Sequence, residues 1–138
     1  MDPRSQPRPD LTVLWDRDCG FCAFMVALVL RADTRRVLRT RTIQESEADG
    51  TLDTVAPELR YVSWHAVDAH GRLTSGGGAL TQVLARLPAL RPLARLTGAL
   101  PGVTERAYGW VATHRELLSR PIPVAAKRRA RRLVQARA

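Results

Sequence analysis

A chain of 138 residues holding only two cysteines is long enough for one domain that buries about two-thirds of its unfolded surface, so a disulfide-stapled mini-protein is excluded. Two cysteines that stand close together then argue for chemistry, not for a scaffold. The net charge of +9 invites a polyanionic partner, yet six of the 22 basic residues lie in residues 127–138, where no acid accompanies them; the invitation concerns the C-terminal end more than the body.

Residues 1–10 contain three prolines and no hydrophobic periodicity, which reads as a flexible lead-in. They lack the apolar core of a secretory signal, and no later stretch reaches the about 20 apolar residues of a membrane span. The expected compartment is the cytoplasm, where a close cysteine pair rests reduced and cycles.

Leu11–Trp15 is β-branched and aromatic, as a short buried strand would be, and the apolar pattern stops at Asp16. Phe21–Leu30 is almost wholly apolar without Gly or Pro, the composition of a helix buried on most sides. Between them stands Asp16-Arg17-Asp18-Cys19-Gly20-Phe21-Cys22. Asp18 is expected to cap the helix, which puts Cys19 at its N-terminus and Cys22 one turn later on the same face. The helix dipole favours a thiolate at Cys19, and the deeper Cys22 should be the less acidic sulfur. Asp18 opposes that effect, and neither Gly20 nor Phe21 supplies a cation. A strongly depressed Cys19 pKa is therefore not expected, and the pair reads as an exchanger or modest reductant.

A static pair or half a zinc site is the alternative. Zinc needs two further ligands, and His65, His70 and His114 are not at ligand spacing, so no metal and no cofactor beyond the Cys19–Cys22 pair is expected. Asp16, at the strand end, has two readings that stay open: a carboxylate that relays a proton to or from Cys22, or a turn-forming aspartate.

Val37–Ile43 predicts a second strand, parallel to the first through a right-handed crossover. Gln44–Gly50 reads as a short helix or loop, and Leu52–Leu59 as a helical turn limited by Pro57. Trp64–Asp68, the turn Ala69-His70-Gly71 and Arg72–Ser75 predict a β-hairpin. Gly76-Gly77-Gly78 lacks the spacing of a phosphate loop and reads as a tight turn into a helix over Ala79–Leu87. From Leu80 to Leu100 leucines recur every three or four positions, interrupted by Pro88 and Pro92, which predicts broken amphipathic helices covering the sheet. Thr104 is expected to cap a helix over Glu105–Leu118. Ser119–Pro123 closes the domain, placed at residues 11–120, and residues 121–138 read as a basic tail, able to form a helix but marginal alone. Trp15 and Trp64 are candidates to wall the site, more often core than contact, and His65 and His114 show no partner.

Trp15-Asp16-Arg17-Asp18-Cys19-Gly20-Phe21-Cys22 closely resembles the signature of the DCC family of predicted thiol-disulfide oxidoreductases. Similar landmarks follow at Ser63-Trp64-His65-Ala66-Val67-Asp68, His70-Gly71-Arg72, Gly77-Gly78-Ala79-Leu80, Leu100-Pro101-Gly102, Ala107-Tyr108 and His114-Arg115. The resemblance implies a thioredoxin-like α/β fold: a small mixed four-stranded sheet with a parallel β-α-β start, a C-terminal hairpin, flanking helices and a helical C-terminal extension. It implies thiol-disulfide exchange with Asp16, Cys19 and Cys22 as the carried-over positions, a protein or small-molecule disulfide as substrate, and a recycling reductant. One departure stands out: Ser63, not proline, precedes Trp64, and Pro57 is too far upstream to serve as the cis-proline that faces the cysteines in thioredoxin-like folds. A second reading, from a different class, is a non-catalytic thioredoxin-like binding module whose basic tail contacts nucleic acid, an anionic membrane or an acidic protein.

Overall fold

The computed structural model describes residues 10–137, so the lead-in expected over 1–10 lies almost wholly outside the described residues. The elements run β1 (Leu11–Trp15), α1 (Gly20–Ala32), β2 (Leu38–Thr42), α2 (Ile43–Ala48), β3 (His65–Asp68), β4 (Leu73–Ser75), α3 (Gly76–Ala85), α4 (Arg91–Ala99), α5 (Pro101–Thr113), α6 (Arg115–Ser119) and α7 (Val124–Gln135). Short 3₁₀ turns at Pro57–Leu59 and Pro88–Leu90 both open on a proline, whose fixed φ suits a first helical position.

The four strands form one mixed sheet in the order β2-β1-β3-β4. β1 pairs parallel with β2 and antiparallel with β3, and β3 pairs antiparallel with β4. The β3–β4 turn has Gly71 at φ +81°, a conformation that glycine adopts without a Cβ clash. This is the mixed, helix-flanked sheet of a thioredoxin-like fold.

The strand period sorts the core. Leu11, Val13 and Trp15 of β1 point to the face covered by α1 and α3, while Leu14 points to the other face, against Ile43 and Leu52. With both faces covered, β1 is the buried centre of the sheet, and Trp15 at 1% exposure is core and no wall of the site. Among the described residues there is no cis peptide bond, so Pro57 is trans.

Several boundaries differ from expectation for physical reasons. α1 is capped by Cys19, not Asp18: the extended Cys19 (φ −102°, ψ 104°) accepts the Cys22 N–H on its sulfur at 3.2 Å. Asp18 is held back in the turn because its own N–H donates to Asp16 Oδ1 at 2.9 Å. α3 starts at Gly76 and takes in the whole glycine triplet, because the Glu105 carboxylate accepts the Gly77 N–H at 2.7 Å and the Gly78 N–H at 3.3 Å, serving as an anion for the helix start. Thr104 lies inside α5 and caps nothing; its hydroxyl is turned to the carbonyls of Thr97 and Leu100 at 3.0 and 2.9 Å. The helix expected over Glu105–Leu118 breaks at His114, whose ring stacks on Trp110 at 4.3 Å and whose Nδ1 donates to the Trp110 carbonyl at 2.7 Å.

Residues 121–138, set apart in the sequence as a basic tail, supply α7, which packs along α1 and buries Ala130 and Val134 one turn apart. Its C-terminal end closes the open edge of β2: Thr40 Oγ1 donates to the Val134 carbonyl at 2.7 Å and Thr40 N–H to the Arg137 carbonyl at 3.2 Å. Arg137 also pairs with the buried Asp33 at 2.8 Å. α4 behaves in the opposite way. Of its residues only Ala94 is buried, and Leu93 and Leu96 stay 45% and 56% exposed.

Candidate functional site

Cys19 and Cys22 stand at the start of α1, just beyond the C-terminal end of β1 at the centre of the sheet. Both are free thiols; Cys19 is half-buried and Cys22 buried. Over Cys19 lies a cavity of about 300 Å³ with Asp16, Asp18, Glu116 and Ser119 in its walls. Cys22 borders a second, apolar cleft of about 210 Å³ formed by Met25, Val62, Trp64, Leu80 and Val111. Phe21 and Arg115 belong to both walls.

Arg115, the first residue of α6, is the cation that the local sequence lacked. Its Nη1 lies 3.4 Å from Cys22 Sγ and 4.0 Å from Cys19 Sγ, Nη2 donates to the Tyr61 carbonyl at 3.2 Å, and Nε donates to the Ala112 carbonyl at 3.1 Å. The break at His114 turns the chain so that this side chain reaches the sulfurs. Three anchors fix the fork in place, which is what a guanidinium does better than an ammonium.

The sulfurs are driven apart in acidity. Hydrogen bonding from the Cys22 thiol, aided by the Cys22 N–H and the Arg115 charge, lowers Cys19 from 9.0 to about 6, against the opposing pull of burial and of Asp16. Cys22 moves far upward, chiefly because its proton is held by Cys19, then by burial and by the Cys19 charge; Arg115 works against that rise. One proton is thus shared by two sulfurs, with the thiolate on the more exposed one. The expected order of acidity holds, and the depression at Cys19 exceeds what the sequence suggested.

Asp16 lies in the wall of the Cys19 cavity. Its Oδ1 accepts from the Asp18 N–H and from Gln44 Nε2, both at 2.9 Å, so the turn-forming role is visible in the structure. Trp64, 9% exposed, walls the apolar cleft. Its N–H donates to Tyr108 Oη at 2.8 Å, and burial pushes the Tyr108 hydroxyl up to about 12, so it stays a neutral phenol. His65 is satisfied internally: Nε2 donates to the Arg60 carbonyl at 2.8 Å, which leaves Nδ1 to accept from Ser75 Oγ at 2.6 Å, and burial lowers its pKa. Among the described residues no group of three His, Cys, Asp or Glu side chains is placed to hold a metal ion.

Residues 13–121 match the profile of the DCC1-like thiol-disulfide oxidoreductase family. The chain belongs to that family. No curated protein and no solved structure matches it. The family's description points to a redox function, and the chain carries two cysteines at CxxC spacing at the α1 start. Arg115 and Tyr108 are the residues of the site that local sequence reasoning missed; each stood in a landmark of the resemblance, Ala107-Tyr108 and His114-Arg115, without a role.

Proposed function

We propose that the protein exchanges dithiol for disulfide through Cys19 and Cys22. The carrying observation is the pair itself, one sulfur poised as thiolate and the other as buried thiol, with Arg115 against both. The Cys19 thiolate attacks one sulfur of a substrate disulfide, forming a mixed disulfide and releasing the other substrate sulfur, which takes up a proton. Cys22 then gives up its proton and attacks Cys19 Sγ, closing Cys19–Cys22 and expelling the second substrate thiol. Two electrons have passed from the protein to the substrate, and a dithiol reductant restores the pair by the reverse steps. The exchange needs no cofactor or metal.

Asp16 is the carboxylate we assign to receive the Cys22 proton, by way of the cavity it shares with Cys19. Arg115 stabilises the reduced, thiolate form and so shifts the couple in the oxidising direction, away from the modest reductant that the Gly-Phe dipeptide suggested. Among the described residues no helix is long and apolar enough to cross a membrane; a reducing compartment such as the cytoplasm would keep the pair cycling. The substrate is a protein or small-molecule disulfide.

The test is a redox titration in thiol-disulfide buffers combined with turnover of hydroxyethyl disulfide. The pair is expected to titrate as one two-electron couple and to reduce the probe. A Cys19–Cys22 pair that never closes reversibly overturns the reading.

Exposed Arg128, Arg129 and Arg132 on α7 support a second reading, a surface for nucleic acid or anionic lipid. Because α7 is built into the core, the informative variant reverses these three charges and leaves the helix in place. A polyanion-binding role predicts a shallower salt dependence in that variant, and an unchanged slope dismisses it.

A further inference from the structure

The second cavity of the site, the apolar cleft beside Cys22, plays no part in the exchange steps above. It is formed by Met25, Val62, Trp64, Leu80 and Val111 and shares Phe21 and Arg115 with the cavity over Cys19. A group entering the cleft therefore lies one side chain away from whatever is bound at the nucleophile. Val62 and Val111 are 50% and 37% exposed, so the apolar lining continues to the protein surface. Its volume of about 210 Å³ is below the about 300–1,000 Å³ of pockets that enclose a whole small ligand.

The backbone on either side of Ser63, itself a residue of the cleft lining, is already engaged. Trp64 gives its N–H to Tyr108 Oη at 2.8 Å and its carbonyl to the Gly76 N–H at 3.0 Å, and the Tyr61 carbonyl accepts from Arg115 at 3.2 Å. An extended peptide cannot add to these groups as a strand would, and strand addition is the main source of affinity where an edge is free. Side-chain burial is what the site offers in its place. The cation in the cleft wall is held in place by the sulfurs and by the Tyr61 and Ala112 carbonyls.

We infer that the cleft receives one apolar side chain of a polypeptide substrate, next in sequence to the cysteine whose disulfide is exchanged at Cys19. The inference rests on the exchange chemistry proposed above and adds its substrate class: disulfides in polypeptides with a large apolar neighbour, in preference to small hydrophilic disulfides such as oxidised glutathione. No new bond is made in the cleft. It raises the occupancy and orientation of the disulfide at the thiolate.

The experiment measures kcat/KM for a series of short peptide disulfides that differ only in the residue beside cysteine (Gly, Ala, Leu, Phe), alongside hydroxyethyl disulfide and the apolar dibutyl disulfide. The wild-type protein is expected to favour Leu or Phe over Gly by at least about tenfold, the scale of selection by an apolar pocket. Ala112 also lines the cleft, and filling it with Ala112→Leu is expected to bring the Leu-to-Gly ratio to within about twofold, a ratio in which any general loss of activity cancels. A flat wild-type series, with hydroxyethyl disulfide still turned over, overturns this inference and leaves the exchange reading standing. The same gain for dibutyl disulfide over hydroxyethyl disulfide as for the Leu peptide over the Gly peptide also overturns it, by removing the polypeptide from the recognition. No turnover of any disulfide overturns both. Should Ala112→Leu fail to fold, the wild-type series decides alone.

Discussion

Cys19 and Cys22 are chemically identical and one helical turn apart, yet Cys19 faces a cavity walled by Asp16, Asp18 and Glu116, while Cys22 faces an apolar cleft. A helix dipole acting alone would lower both, because both lie in the first turn. The structure lowers one and raises the other. What separates them is the direction of two hydrogen bonds: Cys22 donates to Cys19 through both its thiol and its N–H, so the negative charge settles where two donors and the Arg115 charge meet. Arg115 touches both sulfurs but cannot equalise them, because Cys22 is also buried. In the exchange proposed above, nucleophile and resolving thiol would thus be distinguished before any substrate arrives.

The most drastic way to break that asymmetry is to remove one sulfur at a time. Cys19→Ser is expected to lower disulfide turnover by about 10³-fold or more, as loss of a covalent nucleophile does. Cys22→Ser should still attack and then stall, so incubation with a disulfide leaves an adduct on Cys19 that intact-mass analysis detects. An adduct on the Cys22 side of a Cys19→Ser protein, at comparable rate, would reverse the assignment.

Arg115→Gln is the next largest change, because it removes the one cation that touches the pair among the described residues and leaves a shorter, neutral amide in its place. The alkylation midpoint of Cys19, expected at about 6 in the native protein from the lowered thiol, should rise by roughly 1 unit or more, the ordinary effect of losing an opposite charge at hydrogen-bond range. Arg115→Lys should recover part of the shift. A midpoint that stays in place in Arg115→Gln would mean that the Cys22 thiol alone makes the thiolate.

The same asymmetry should appear in stability. Cys19 falls from 9.0 to about 6 on folding, so between those values the unfolded chain binds more protons and stability rises with pH; the contribution is complete above the unfolded value and is lost as pH falls through about 6. Cys22 has the opposite sign, and its contribution declines only above its unfolded value, which makes the gain level off near there. Solvent screens the half-exposed Cys19, so the gain is only part of what the shift alone would imply. The urea midpoint of the reduced protein, compared with Cys19→Ser, should therefore exceed it by more at about pH 8 than at about pH 5.5. A difference independent of pH would contradict the lowered Cys19.

How much of this was legible in the sequence follows from how local each signal is. β1, β2 and the β3–β4 hairpin were readable because strand runs bounded by Asp16 and Gly71 carry their own period and breaks. The CxxC was readable for the same reason. The cap was misread because Asp18 is the better capping residue by type, and only the Asp16 side chain, by taking the Asp18 N–H, leaves that position to Cys19. Arg115 meets the sulfurs across 96 and 93 residues of chain, and nothing near it in sequence marks that contact. The helices show the limit of composition most plainly. Leucine-rich α4 exposes Leu93 and Leu96 and buries only Ala94, whereas arginine-rich α7 buries Ala130 and Val134 and packs Leu133 against the same core.

α7 also reaches the site, which gives the smallest and sharpest test of whether the two sulfurs and Arg115 are the whole of the asymmetry. Gly20 is the first residue of α1, and a Cβ there would stand 2.9 Å from Lys127 Cδ and 3.5 Å from Lys127 Cγ. Gly20→Ala must therefore displace the Lys127 stem, which is long and free to swing. The helix gains from alanine by at most about 1 kcal/mol, and less at a helix start, so the displacement roughly offsets it and stability should change by less than about 0.5 kcal/mol in chemical denaturation. Arg115 is the one cation among the causes of the Cys19 shift, so moving Lys127 aside should leave the alkylation midpoint where it was. If the midpoint instead rises as far as in Arg115→Gln, the basic helix belongs to the electrostatics of the site, and the thiolate is held from α7 as well as from α6.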